Sequence, residues 1–198
     1  MLIQHIKKSQ LRTASWAGGT TTQLAIYPAT AEYKAFNFDF RISYATVEVP
    51  ESTFTFMPGV TRHLMILKGS LEINHIDRYQ KKLEKLDLDI FNGEWPTKAK
   101  GKVTDFNLMT RGNTYGSIEA LTLQPGASKA LIQKEKCSFI ALYILSGILT
   151  VKLETENLKI ETGDFISINS FITQNCILLA DTACEIIISR VHLPAITF

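Results

Sequence analysis

Residues 64–73 read LMILKGSLEI, and residues 142–151 read LYILSGILTV. Each stretch runs through apolar residues to one polar residue, a glycine and then an alternating strand. A glycine between two β-patterned runs marks a hairpin turn. The two glycines, Gly69 and Gly147, stand 78 residues apart. A second landmark follows each hairpin: Asp89-Ile90-Phe91 after the first and Asp164-Phe165-Ile166 after the second, 75 residues apart. An indel of three residues in the intervening loop reconciles the two spacings. Two landmarks in the same order at nearly one period predict an internal duplication.

Outward from these hairpins the pattern stays β. Residues 38–49, FDFRISYATVEV, alternate and are rich in aromatic and β-branched side chains. Further strands are predicted at 53–57, 86–91, 104–109, 117–123, 128–133, 139–145, 164–168, 176–180 and 184–191. The one predicted helix is residues 77–86, DRYQKKLEKL. Many short strands with almost no helix read as a sandwich or barrel. The strand, glycine turn, strand and closing Thr162-Gly163-Asp164 turn look like the cupin jelly roll, a double-stranded β-helix. The expected fold is therefore all-β, with two cupin-like barrels in one chain, a bicupin. The expected domains are 1–115, carrying the pocket, and 116–198, with strands open to exchange between the halves.

Composition narrows the function. The 198 residues are 45% apolar and 20% charged, with 21 basic against 19 acidic residues and a net charge of +2. So even a balance argues against nucleic acid as a partner. The alternation Lys98, Lys100, Lys102 reads as one solvated face of a strand or loop. The three cysteines, Cys137, Cys176 and Cys184, form no CxxC, and an odd number in apolar surroundings reads as buried thiols in a reducing cytosol. No stretch reaches the roughly 18 apolar residues of a membrane-spanning helix, and residues 1–10 lack the core of a signal peptide. A cytoplasmic protein with no membrane partner is expected.

No metal or other cofactor is expected. Cupin metal sites use an H-x-H pair, a glutamate and a later histidine. The four histidines here, His5, His63, His75 and His192, form no such pair. Arg62 stands where the pair would begin, and a guanidinium cannot ligate.

Four segments place polar groups where strands would bury them. The first is Trp16-Ala17-Gly18-Gly19-Thr20, where Gly19 permits close backbone approach and Trp16 and Thr20 offer a wall and a hydroxyl. The second is Arg41-Ile42-Ser43, in a strand with two half-apolar faces, which places Arg41 and Ser43 against a cavity. The third is Arg62, on one strand face with Leu64 and Ile66. The fourth is residues 105–111, DFNLMTR, where Asp105, Asn107 and Met109 share a face and Arg111 follows. Two arginines, an amide and several hydroxyls suit a small carboxylate, because guanidinium binds carboxylate in a bidentate fork. Asp105 is the expected counter-ion when no ligand is present. The second half offers apolar strands and no comparable polar set.

These segments, in this order, resemble the HutD/Ves family. Its members carry W-x-x-G-G-x-T, then F-x-x-R-I-S, then F-x-x-x-P-G-x-x-R, then D-F-N-x-M followed by arginine. The match runs over about residues 9–123. Ala17 replaces a glycine common in the family, and Thr110 precedes Arg111 where paired arginines are common. The resemblance implies a metal-free bicupin. It also implies a link to histidine utilisation or to stress responses, with urocanate or a formylated glutamate among the proposed ligands.

Three readings compete: a binder, an enzyme, and a structural or interaction protein with an unused pocket. A non-enzymatic binder of a small carboxylate fits the missing nucleophile and base constellations. A metal-independent isomerase or epimerase acting on a small acid or sugar would need a base, for which His63, Asp105 and Glu119 are the candidates. A homodimer through an apolar edge at residues 184–191 is a further expectation.

Overall fold

The computed structural model describes residues 2–131, 137–154, 156–169 and 176–194. Among them the strands are β1 Leu2–Ile6, β2 Thr13–Trp16, β3 Gly19–Tyr27, β4 Phe40–Val47, β5 Glu51–Thr53, β6 Val60–Lys68, β7 Leu71–His75, β8 Tyr79–Leu83, β9 Leu88–Asn92 and β10 Thr97–Lys100. They continue with β11 Val103–Arg111, β12 Tyr115–Leu123, β13 Ser128–Ala130, β14 Phe139–Ser146, β15 Ile148–Lys152, β16 Asn157–Glu161, β17 Phe165–Asn169, β18 Ile177–Ala180 and β19 Cys184–His192. Single 3-10 turns lie at Lys8–Gln10 and Tyr33–Ala35.

The chain divides into two compact units. One runs from Leu11 to Tyr115; the other takes the residues up to Gln10 together with those from Gly116 onward. The first unit holds a six-stranded sheet, β2-β3-β4-β11-β6-β9, and a four-stranded sheet, β5-β10-β7-β8. Leu64, Ile66 and Phe91 of the larger sheet and Leu71, Ile73, Leu83 and Ala99 of the smaller form one core cluster. The second unit holds β1-β17-β14-β19-β12 and β13-β18-β15-β16, with Leu142, Ile166, Ile188, Leu149 and Leu178 in its core. Burial of this much apolar surface between paired sheets is the main stabilising term in each unit.

The units repeat one pairing scheme. β6 lies between β11 and β9 as β14 lies between β19 and β17, and β7 pairs β8 and β10 as β15 pairs β16 and β18. The hairpin glycines are equivalent in detail. Gly69 has φ +86° and Gly147 φ +94°, a region that favours glycine. A Cβ at Gly69 would lie 2.6 Å from the Lys102 carbonyl oxygen; at Gly147 it would lie 2.2 Å from that of Ala183. The aspartate landmark needs correction: Leu64 pairs with Asp89 but its counterpart Leu142 pairs with Ile166, and the residue equivalent to Asp164 is Asp87, which accepts from the Glu84 amide at 2.8 Å as Asp164 does from that of Glu161. Asp89 binds His75 Nε2 at 2.9 Å and accepts from the Tyr79 hydroxyl at 3.1 Å. Asp164 binds His5 Nε2 at 2.9 Å and accepts from the Lys8 and Glu161 amides at 2.8 and 3.2 Å. Burial would raise the Asp164 carboxyl, but those donors outweigh it and hold the group below the usual carboxylate range.

Three more expectations need correction. Residues 77–86 are not a helix. Asp77, at φ +61°, closes a turn, and β8 then pairs β7 from Tyr79 to Leu83, burying Leu83 alone. The charged run that imitates a helix face is the solvated side of a strand. The predicted strand at 53–57 ends early, since β5 stops at Thr53. β19 is no edge: it lies between β14 and β12, so it cannot offer the dimer edge expected at residues 184–191. Lys98 and Lys100 do mark a solvated strand face, alternating with buried Thr97 and Ala99. All three cysteines are buried, and burial pushes the Cys176 thiol up to about 11. No helix among the described residues is long and apolar enough to cross a membrane.

Candidate functional site

Directly paired residues on antiparallel neighbours project to the same side of a sheet. Reading across the six-stranded sheet gives one row of Ile26, Arg41, Met109, Arg62 and Phe91. The next row on that face is Gln23, Ser43, Asn107, Leu64 and Asp89, and the third is Thr21, Ala45, Asp105 and Ile66. Leu64, Ile66 and Phe91 point into the core, so this is the inner face. Arg41, Ser43, Arg62, Asp105 and Asn107 therefore share it, each at most 7% exposed. The opposite face is buried too, through Phe40, Ile42, Phe106 and Leu108. That two-sided burial explains why the strand of residues 38–49 has no plainly polar side.

The polar groups are joined in sequence. Arg62 Nη2 donates to Asn107 Oδ1 at 3.1 Å, and Asn107 Nδ2 donates to Asp105. Arg41 donates from Nε to Gln23 Oε1 at 3.0 Å and from Nη1 to Ser43 Oγ at 2.9 Å. Arg41 lies over the Tyr33 ring at 4.3 Å, and Arg62 lies over Phe54 and Phe91 at 4.5 and 5.5 Å. Such contacts are attractive, but they do not neutralise a cation. Neither guanidinium is in ion-pair contact with a carboxylate among the described residues, and Arg62 Nε is buried without a hydrogen-bond partner.

Burial dominates the electrostatics. It lowers Arg41 below the ordinary arginine value. It takes Arg62 down to about 10, with Tyr33 and Asp105 opposing the shift and Arg41 adding to it. It raises Asp105 to about 7, against the pull of Arg62 and the Asn107 hydrogen bond.

The remaining expected site residues lie elsewhere. Thr20 pairs with Thr46 on the opposite face from Arg41. Gly19 serves strand contact, because a Cβ there would meet the Thr46 carbonyl oxygen at 1.9 Å. Trp16 is 45% exposed and lies over Gly18. Arg111 is exposed and donates to the Phe36 carbonyl oxygen, so it pins the loop that delivers Tyr33. Tyr33, Gln23 and Phe54 are absent from the expected set: Tyr33 lies outside the strands, and Phe54, which the sequence puts in a strand over 53–57, lies just past the end of β5. Of the candidate bases, His63 occupies the face opposite Arg62, and Glu119 belongs to the other unit. Only Asp105 reaches the inner face.

No group of three His, Cys, Asp or Glu side chains among the described residues is arranged to hold a metal ion. The donor set here, two guanidiniums with an amide and a hydroxyl, also fails to fit a cation.

Solved structures share the fold. A conserved protein of unknown function from Pseudomonas aeruginosa PAO1 superposes with a TM-score of 0.83 at 15% identity, over 98% of this chain and 100% of its own. HutD from Pseudomonas fluorescens SBW25, solved in a formate condition, gives 0.74 at 16%, also over 98% and 100%. A bacterial pirin from Escherichia coli, in complex with nickel(II), gives 0.72 at 10%, over 96% and 98%. The architecture is thus all-β and cupin-type. No curated protein matches the chain by sequence. The family model described as HutD matches residues 8–186. The chain belongs to the HutD family.

Proposed function

We propose that this bicupin binds a small carboxylate metabolite, without a metal, on the inner face of the unit from Leu11 to Tyr115. The observation that carries the reading is the row Arg41-Met109-Arg62: two buried guanidiniums with no carboxylate among the described residues in ion-pair contact. Burying cations uncompensated is costly, and an anion between them offsets that cost. Asn107 and Ser43 would orient its remaining polar atoms. The role is that of a cytoplasmic binder that senses or buffers the acid, in histidine utilisation or a stress response.

A thermal-shift screen with formate, urocanate and formylated glutamate tests this. An acid at about 100 times its Kd should stabilise the protein by roughly 2.7 kcal/mol. Arg62→Ala should abolish the shift, and Arg62→Lys should restore only part of it, since a lysine lacks the bidentate fork. A shift that survives both Arg62→Ala and Arg41→Ala, or no shift with any acid, overturns the proposal.

The same site couples binding to pH. Protonated Asp105 leaves the arginines without a competing anion, so acid affinity should be higher at pH 6 than at pH 8. Titration of the bound acid by calorimetry at the two values checks this, and equal affinities would remove Asp105 from the site. A carboxyl near pH 7 also suits proton transfer, which favours a second reading as a metal-independent isomerase. Product formation from an acid that binds, lost in Asp105→Asn, would select that reading.

A further inference from the structure

The second unit contains one arginine in its sequence, Arg190. It lies in a strand of otherwise apolar pattern, buried at 7% exposure on the face of β19 that carries Ile188. It pairs with Ile140, which pairs in turn with Ile168, and both isoleucines are core residues. Two residues along, Ile188 faces Leu142 and Leu142 faces Ile166. In the first unit that second row holds Ser43 and Asn107.

The repeat fixes what stands at this place in the other unit. Val103 packs on Gly69 and Cys184 packs on Gly147. Counting the same distance along each strand leads to Met109 in one case and Arg190 in the other. Methionine fills the position with no buried charge, so packing alone does not require an arginine there. The guanidinium is also only partly used. Nη1 donates to the Glu119 carboxylate, whose side chain is 52% exposed. Nε is buried and has no hydrogen-bond partner among the described residues. The edge formed by Nε and Nη2, which takes a carboxylate side-on, has no acceptor among the described residues.

We propose that Arg190 anchors a second acid-binding site, whose ligand is an aliphatic monocarboxylate. The carboxylate would sit on the Nε–Nη2 edge, with Glu119 holding the guanidinium from its other side as a positioning residue. One side of the lining gives the class: past Arg190 toward Ile188 the rows Ile140 with Ile168, and Leu142 with Ile166 and Ile188, are wholly aliphatic. They match a hydrocarbon chain.

Calorimetric titration of hexanoate at pH 7 tests the site in the full chain. Wild type should bind. Arg190→Met, which copies the residue at 109, should weaken binding at least tenfold, because a charge-assisted pair is lost. Arg62→Ala removes the acid site of the first unit and should keep hexanoate binding at Arg190, and Arg190→Met is made in that background as well, so that binding at the first site does not mask its loss. Glu119→Gln removes a competing negative charge at an exposed position and should tighten binding several-fold. That arm decides the matter if Arg190→Met fails to fold. No hexanoate binding by wild type, binding unchanged by Arg190→Met in the Arg62→Ala background, binding lost in Arg62→Ala, or an affinity unmoved by Glu119→Gln would each overturn the proposal.

Discussion

Replacing Asp105 with asparagine should make the protein more stable at pH 8 and leave it little changed at pH 4. The folded carboxyl titrates near 7, against an ordinary value of 3.8. Below the lower value both folded and unfolded chains hold the proton. Between the two, the folded chain keeps a proton that the unfolded chain has released, so stability falls as pH rises. Above pH 7 both are ionised and the loss is complete. A shift of about three units corresponds to about 4 kcal/mol. Asparagine preserves the acceptor that Asn107 uses, cannot ionise, and escapes the loss. Urea denaturation from pH 4 to pH 8 measures it. Wild type should lose stability across that range relative to Asp105→Asn. Parallel curves for the two proteins would show that the carboxyl is not held near neutrality.

Gly147→Ala should destabilise the protein by about 3 kcal/mol, from two costs that add. Its φ of +94° strains any L side chain, worth about 1–2 kcal/mol. Its new Cβ would also lie 2.2 Å from the Ala183 carbonyl oxygen and 2.7 Å from Cys184 Sγ, and relieving that overlap moves backbone, at a further cost of about 1–3 kcal/mol. Gly126→Ala supplies the comparison within the same unit. Its φ is +79°, but a Cβ there meets nothing within 4 Å, so only strain remains. Gly69→Ala, with its carbonyl at 2.6 Å, should fall between the two. Denaturation midpoints that do not separate Gly147→Ala from Gly126→Ala would mean that the turn opens freely. The duplication would then have no steric reason to keep glycine.

Much of the fold is legible because strand alternation and turn glycines are local signals. β6 with β7, β14 with β15, and β17, β18 and β19 all fall where periodicity puts them. β10 escapes because TKAK carries little apolar contrast, and β16, NLKIE, because its alternation spans only two apolar residues. The site is legible in part for the same reason. Arg41, Arg62 and Asn107 interrupt apolar strands, and an interruption is visible in sequence. Tyr33 reaches Arg41 from outside the strands and Phe54 reaches Arg62 from just past β5, so neither interrupts a strand; Arg190 interrupts an apolar strand as Arg41 does and carries the same signal. Thr20 and Trp16 mislead because a glycine-rich turn has the composition of a ligand loop, whereas Gly19 is there to let two strands approach.

The pairing of β1 with β17 has a consequence for synthesis. His5 and Asp164 are 159 residues apart, and the whole unit from Leu11 to Tyr115 is made between them. At about 5–20 residues per second, β1 leaves the ribosome roughly 10–30 s before its partner exists. Its backbone donors and acceptors stay unpaired for that time, while the unit that follows it can already close. This strand, made before the unit from Leu11 to Tyr115, thus finds its partner only after that unit is made. A holdase or a solubilising fusion at the amino end would act on that waiting strand during translation, without any effect on the finished fold.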